Sequence, residues 1–241
     1  MEFLLLGFLV GMAHAFEADH MAAIGTLASS GKATPRRLAF LGASWGMGHT
    51  TTLFVISLPV ILFGVILTDR FAAGLEFSIG IMLIGLGVQV FYKLWRARVH
   101  LHLHNHGDKR HFHAHSHADD TMPHGENPHH HKHRAFSFRA YAVGLAHGAA
   151  GSAGLVALAA AATQNAATAL IYILVFGAGS VLGMAALTYA ASWPLRLAEK
   201  TASRLLKTVQ MATGVAAVAV GVVVMAKAAP VIWAPVIRGA V

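Results

Sequence analysis

Apolar runs of membrane-spanning length recur along the chain, separated by short polar connections and one long one. They lie at about Phe3 to Leu27, Leu38 to Leu67, Phe71 to Trp95, Ala140 to Thr163, Ala167 to Ala191 and Leu205 to Met225. Each reaches the ~20 residues a helix needs to cross the hydrocarbon core, so the pattern predicts an all-α integral membrane protein with six transmembrane helices. The second run is longer than a crossing requires and carries Pro59, which predicts tilt or a kink there.

The first run is interrupted in an unusual way. Between Phe3 and Leu27 its only charged residues are Glu17 and Asp19, set in Gly11-Met12-Ala13-His14-Ala15-Phe16-Glu17-Ala18-Asp19-His20. A carboxylate near the middle of a membrane helix costs roughly 2.5–3.5 kcal/mol on insertion scales. Two of them call for compensation, and a bound divalent cation is the simplest source. His49 and His147 also fall inside predicted membrane helices. At ~1.5 Å per residue, His14 and His49 lie about 16 Å, and His147 about 11 Å, from the nearer end of their runs. In a core ~30 Å thick all three are near mid-depth, with His20 somewhat further in. A lone membrane histidine is ordinarily a packing hydrogen bond, but convergence at one depth beside two acids predicts a shared metal site of His14, Glu17, Asp19, His20, His49 and His147. On a regular helix, His14, Glu17 and His20 step round by about 60° each and form a stripe, whereas Asp19 points elsewhere. Either Asp19 orients a histidine from behind, or the helix is broken around Phe16 to Asp19; the break is the preferred expectation.

The long connection holds 13 of the 17 histidines between His100 and His133. His100, His102, His104, His106, His111, His113, His115, His117, His129, His130, His131 and His133, with Asp108, Asp119, Asp120 and Glu126, make a second, multidentate surface for metals that accept imidazole. Such a tract builds no core. It is expected to be disordered and to buffer, deliver or sense metal. The chain then divides into a three-helix unit at 1–98, the histidine-rich loop at 99–137, and a second three-helix unit at 138–241.

Composition agrees. The 241 residues are 56% hydrophobic and 12% charged, with mean hydropathy +0.60; soluble domains carry about twice that charge. With no cysteine, disulfides, thiol redox chemistry and thiolate metal sites are all excluded. The net charge of +8 is spread between apolar runs, where it sets topology and argues against nucleic acid. Of the 18 Lys and Arg, 15 fall in the first, third and fifth connections and their flanks; Arg70, Lys227 and Arg238 lie on the other side. The positive-inside rule therefore puts the histidine-rich loop in the cytoplasm and both termini outside. Without a basic n-region or small-residue cleavage site, the first run reads as retained.

Imidazole mixed with carboxylate suits Ni(II), Co(II) or Zn(II), and argues against Cu(I), Mg and Ca. A membrane metalloenzyme is the alternative from another class, but no His-Glu-x-x-His or ordered histidine boxes occur outside the loop. The chain reads as no enzyme, with no prosthetic group and the metal as cargo. A dication moving inward gains about 4.6 kcal/mol per 100 mV of inside-negative potential. Import can run on voltage alone, whereas efflux, the alternative direction, needs a coupled ion.

Three stretches carry a family resemblance. His14 to His20 resembles the His-x4-Asp-His signature of the nickel/cobalt transporter family, and Gly48-His49-Thr50-Thr51 its Gly-His-Ser/Thr motif. Gly144 to Ala153 is similar to the His-Gly-x-x-Gly-Ser stretch of the short six-helix branch that includes urease accessory permeases. The resemblance implies nickel or cobalt transport across the cell inner membrane, with ligands at His14, Asp19, His20 and His49 and a cytoplasmic metallochaperone as a partner beside the ion and the bilayer. Glu17 stands where the family more often has Asp. The fourth helix lacks the acidic motif of the eight-helix uptake permeases, and some efflux members also carry histidine-rich loops.

An internal repeat completes the expectation. Val10 to His14 matches Val143 to His147, Trp45 to His49 matches Phe176 to Ser180, and Glu76 with Gly80 and Gly87 matches Gln210 with Gly214 and Gly221. Three helices per copy force the second to enter from the opposite side, giving a two-fold axis in the membrane plane. His14 and His147 would then face one cavity, with Ser152, Ala153 and Ser180 matching the remaining ligands and alternating access moving one unit against the other.

Overall fold

A computed structural model describes residues 2–28, 34–96, 100–106, 109–115, 136–149, 165–201 and 203–234. Within them the chain forms helices α1 (Glu2–His14), α2 (Ala18–Ala28), α3 (Pro35–Phe63), α4 (Asp69–Arg96), α5 (Phe138–Gly148), α6 (Ala166–Thr201) and α7 (Ser203–Trp233), with a short hairpin of β1 (His100–His106) and β2 (Lys109–His115) between α4 and α5. Four helices are long and apolar enough to cross a membrane: α3, α4, α6 and α7. The first predicted crossing is two consecutive helices of 13 and 11 residues. The 11 residues of α5 cover the start of the fourth. The stretch 150–164, with Ser152 and Ala153, lies outside the described residues.

The second crossing starts with Pro35, whose fixed φ and missing N–H suit a first turn. It ends at Gly64, which adopts φ 65° and returns its N–H to the Val60 carbonyl, a conformation that costs glycine little. Pro59 is accommodated inside the helix.

Small residues decide which helices meet. α3 packs on both α5 and α6, α1 on α6, and α4 on α7. Along α3 and α5, a Cβ added at Gly48 would overlap the Tyr141 carbonyl, one at Gly144 the Trp45 carbonyl, and one at Gly148 the His49 carbonyl. Along α1 and α6, Gly11 abuts the Phe176 carbonyl and Gly179 the Phe8 carbonyl. Backbones this close replace the hydrophobic drive that is weak between helices in lipid. The apolar centre around Trp45, Leu83 and Met184 gathers side chains from six helices, while Leu5, Val55, Ile81 and Val222 face outward, as a lipid-facing surface requires.

In the histidine-rich segment, β1 and β2 pair antiparallel with His100 opposite His115, His102 opposite His113 and His104 opposite His111. His117, His129, His130, His131 and His133 lie outside the described residues.

Candidate metal centre

The centre is built on the interruption between α1 and α2. The N–H groups of Ala15, Phe16 and Glu17 bond three residues back, to Met12, Ala13 and His14 at 3.3, 3.0 and 3.1 Å, a tightening that ends α1. The Glu17 carbonyl then accepts from Met21 at 2.9 Å and α2 begins. The break thus falls at Ala15 to Glu17, slightly ahead of the expected Phe16 to Asp19. It puts Asp19 in the first turn of a helix, where a carboxylate suits the dipole.

The reorientation undoes the regular-helix stripe. Asp19 lies between two histidines: its Oδ1 accepts from the His20 backbone N–H at 2.9 Å and sits 3.1 Å from His20 Nδ1, and its Oδ2 is 3.0 Å from Nε2 of His147. Glu17 turns to the side, its Oε1 2.7 Å from His14 Nδ1. A carboxylate only accepts, so the ring nitrogens that face it are the donors, and in a neutral imidazole the opposite nitrogen is then the lone pair.

Four imidazoles converge here from three places in the sequence. Ring centroids are 4.4 Å apart for His14 and His20, 5.0 Å for His14 and His49, 5.2 Å for His20 and His49, and 4.3 Å for His20 and His147. His20, His49 and His147 are 1–2% exposed. His20 Nε2, His147 Nδ1 and both ring nitrogens of His49 make no hydrogen bond within the protein. Each such buried group costs about 1–3 kcal/mol. A neutral His49 carries a proton on one of its two nitrogens, so at most three of these four are lone pairs, and a fold that buries them in one neighbourhood is arranged for something that accepts lone pairs.

Among the described residues, two sets place one donor atom per residue within 4.8 Å of each other: His14, His20 and His49, and Asp19, His20 and His147. All predicted metal-site residues of the helices are therefore in one neighbourhood, with Glu17 at its edge. Trp45 walls it, 5.3 Å from the His20 ring and 5.5 Å from that of His147. A cavity of about 210 Å³ leads to it, lined by His14, Glu17, Asp19, His20, Glu76, Ile79, Val224 and Lys227. Sequence reasoning missed Lys227 here, although a single cation in an apolar run was the available signal.

A model of the high-affinity nickel-transport protein family, NicO, matches residues 1–232. The chain belongs to the NicO family. NicO proteins are nickel transporters and not enzymes, which makes nickel the cargo and the long apolar helices those of a multi-pass membrane protein. The chain is also 31% identical over 206 residues to the urease accessory protein UreH of Bacillus sp. (strain TB-90), covering 83% of this chain and 80% of that protein. No solved structure matches it.

Proposed function

We propose that this NicO protein imports Ni(II), and Co(II) with it, through the centre formed by His14, Asp19, His20, His49 and His147, with Glu17 at its edge. The observation that carries the reading is the group of four unpartnered, buried imidazole nitrogens around a carboxylate. That donor set matches a borderline first-row dication, and Asp19 offsets part of its charge. Under the positive-inside orientation, Lys227 and the first half of α4 with Glu76 lie on the external side, so the cavity opens outward and inward movement is favoured by the membrane potential. The histidine-rich loop is then cytoplasmic and receives or senses the ion.

Six crossings in two inverted three-helix repeats support alternating access around this centre. Contacts recur in pairs related by the sequence offsets of 131, 133 and 134 residues. Gly11 against the Phe176 carbonyl corresponds to Gly144 against the Trp45 carbonyl, and Gly179 against Phe8 to Gly48 against Tyr141. Gly80 against the Gly221 carbonyl corresponds to Gly214 facing the Gly87 carbonyl. The ring pairs follow the same rule: His14 with Phe176 at 5.4 Å, and His147 with Trp45 at 5.5 Å. Reciprocity of this kind supports a two-fold axis relating the repeats. Ser180, buried with an unpartnered Oγ, occupies the position that corresponds to His49.

The test is radioactive nickel uptake into liposomes containing the purified chain, with cobalt and zinc as competitors. Uptake that accelerates under an inside-negative potential and is blocked by cobalt supports the proposal. Transport that requires a proton gradient and runs outward would replace import by efflux.

A further inference from the structure

We infer that the centre holds two ion positions that share His20, one made of three histidines and one containing Asp19, and that the ion passes between them. The inference rests on the proposed nickel site and adds its internal division. Two donors of one first-row ion, each about 2.1 Å from it, stand no more than about 4.2 Å apart. Within each of the two sets the donor atoms already lie within 4.8 Å of one another, so a slight closure would complete either. The ring centroids of His49 and His147, one from each set, are 6.4 Å apart, against 4.3–5.2 Å for the imidazole pairs within either set. His20 is the imidazole common to both.

The two nitrogens of His20 face different partners. Nδ1 is against Asp19, and Nε2 is unpartnered. While Asp19 accepts N–H groups from His20 and His147, it holds His20 with Nε2 free for the ion shared with His14 and His49. When the ion moves on, Asp19 becomes a ligand itself, and His20 and His147 turn their Asp19-facing nitrogens to the ion. Each neutral imidazole then carries its single proton on its other nitrogen. Both sets reach the cavity, the first through His14 and the second through Asp19, and each ends on a buried histidine, His49 or His147. The first position has no charged ligand and the second has one. An ion in the second position thus has a carboxylate among its ligands, which offsets part of its charge there.

The experiment uses the full chain in detergent and in liposomes, comparing wild type with His49→Gln, His147→Gln and His20→Gln. Readouts are nickel bound per chain by equilibrium dialysis, imidazoles around nickel by X-ray absorption, and uptake. His49→Gln and His147→Gln should each still bind one nickel, with two imidazoles in the former and three in the latter, while uptake falls by roughly tenfold or more in both. His20→Gln should bind none. If His49→Gln or His147→Gln abolishes binding as completely as His20→Gln while eluting as a monodisperse, helical protein, one undivided centre replaces the two positions. Normal uptake by His147→Gln would likewise overturn the handover. Asp19→Asn guards against misfolding as the explanation: it should bind nickel with three imidazoles, and loss of all binding there counts against two positions. Absence of nickel binding by the wild-type chain would instead remove the site reading on which the inference stands.

Discussion

Gly144→Ala should damage transport far out of proportion to the one methyl group it adds. The new Cβ would fall on the Trp45 carbonyl oxygen, a backbone atom that no rotamer change can move aside. Carbon atoms pack against neighbours at roughly 3.5–4 Å, so α3 and α5 would have to part by on the order of 1 Å. Overpacking of this kind costs about 1–3 kcal/mol, which thermal unfolding in detergent would register as a lower midpoint. The larger effect is on the centre. His147, three residues along α5, is 3.0 Å from Asp19, and displacement on the order of 1 Å takes it beyond hydrogen-bond reach. Nickel uptake should fall by at least tenfold, as losses of a ligand-orienting partner do, roughly 10–100-fold. Gly85→Ala is the control, because nothing stands within 4 Å of a Cβ there and alanine is the better helix former. Gly144→Ala with wild-type uptake and midpoint would refute the claim that glycine-mediated contact of α3 with α5 sets the geometry of the site.

Other expectations follow from the same structure. Deleting residues 100–133 should leave the maximal uptake rate largely intact but change its dependence on nickel concentration and on pH near 6.5, where free imidazoles titrate; complete loss of uptake in the folded deletion would place the loop in the pathway. Glu76→Gln, in the cavity wall, should raise the half-saturating nickel concentration several-fold, by about 2–10, with the maximal rate retained, because it removes a charge that concentrates cations near the site; a lower maximal rate at unchanged half-saturation would make Glu76 a ligand. Single cysteines, absent from the natural chain, introduced at Ser30 and at Thr68 should react with an impermeant maleimide from opposite sides of the membrane, and labelling of both from one side would contradict the topology.

Much of the architecture was legible because membrane crossings leave a plain length signal. α3 and α4 match the apolar runs that predicted them to within four residues at each end, whereas α6 and α7 start with theirs and run ten and eight residues past their C-terminal ends. The histidines at the site were legible for a related reason: a polar side chain surrounded by twenty apolar ones stands out wherever it points. Orientation was less accessible. Ideal helical geometry put Asp19 off the stripe of His14, Glu17 and His20, and only the three hydrogen bonds that tighten the chain at Ala15 to Glu17 turn it between His20 and His147. Nothing in the local sequence, which contains no Gly or Pro between Met12 and His20, dictates that turn; the packing of α1 on α6 and of α2 on α7 does. Lys227 was likewise hidden, because its place in the cavity depends on how α7 meets α4, and that is set by glycines on both helices.

The central claim, that nickel crosses through the imidazoles and carboxylate gathered at the α1–α2 break, is tested most directly by one comparison. The initial rate of nickel entry into liposomes at a clamped inside-negative potential is measured for the wild-type chain and for His14→Asn. The account predicts rapid entry in the first case and a rate indistinguishable from protein-free liposomes in the second, with both proteins inserted in equal amounts; equal entry through the two would contradict it.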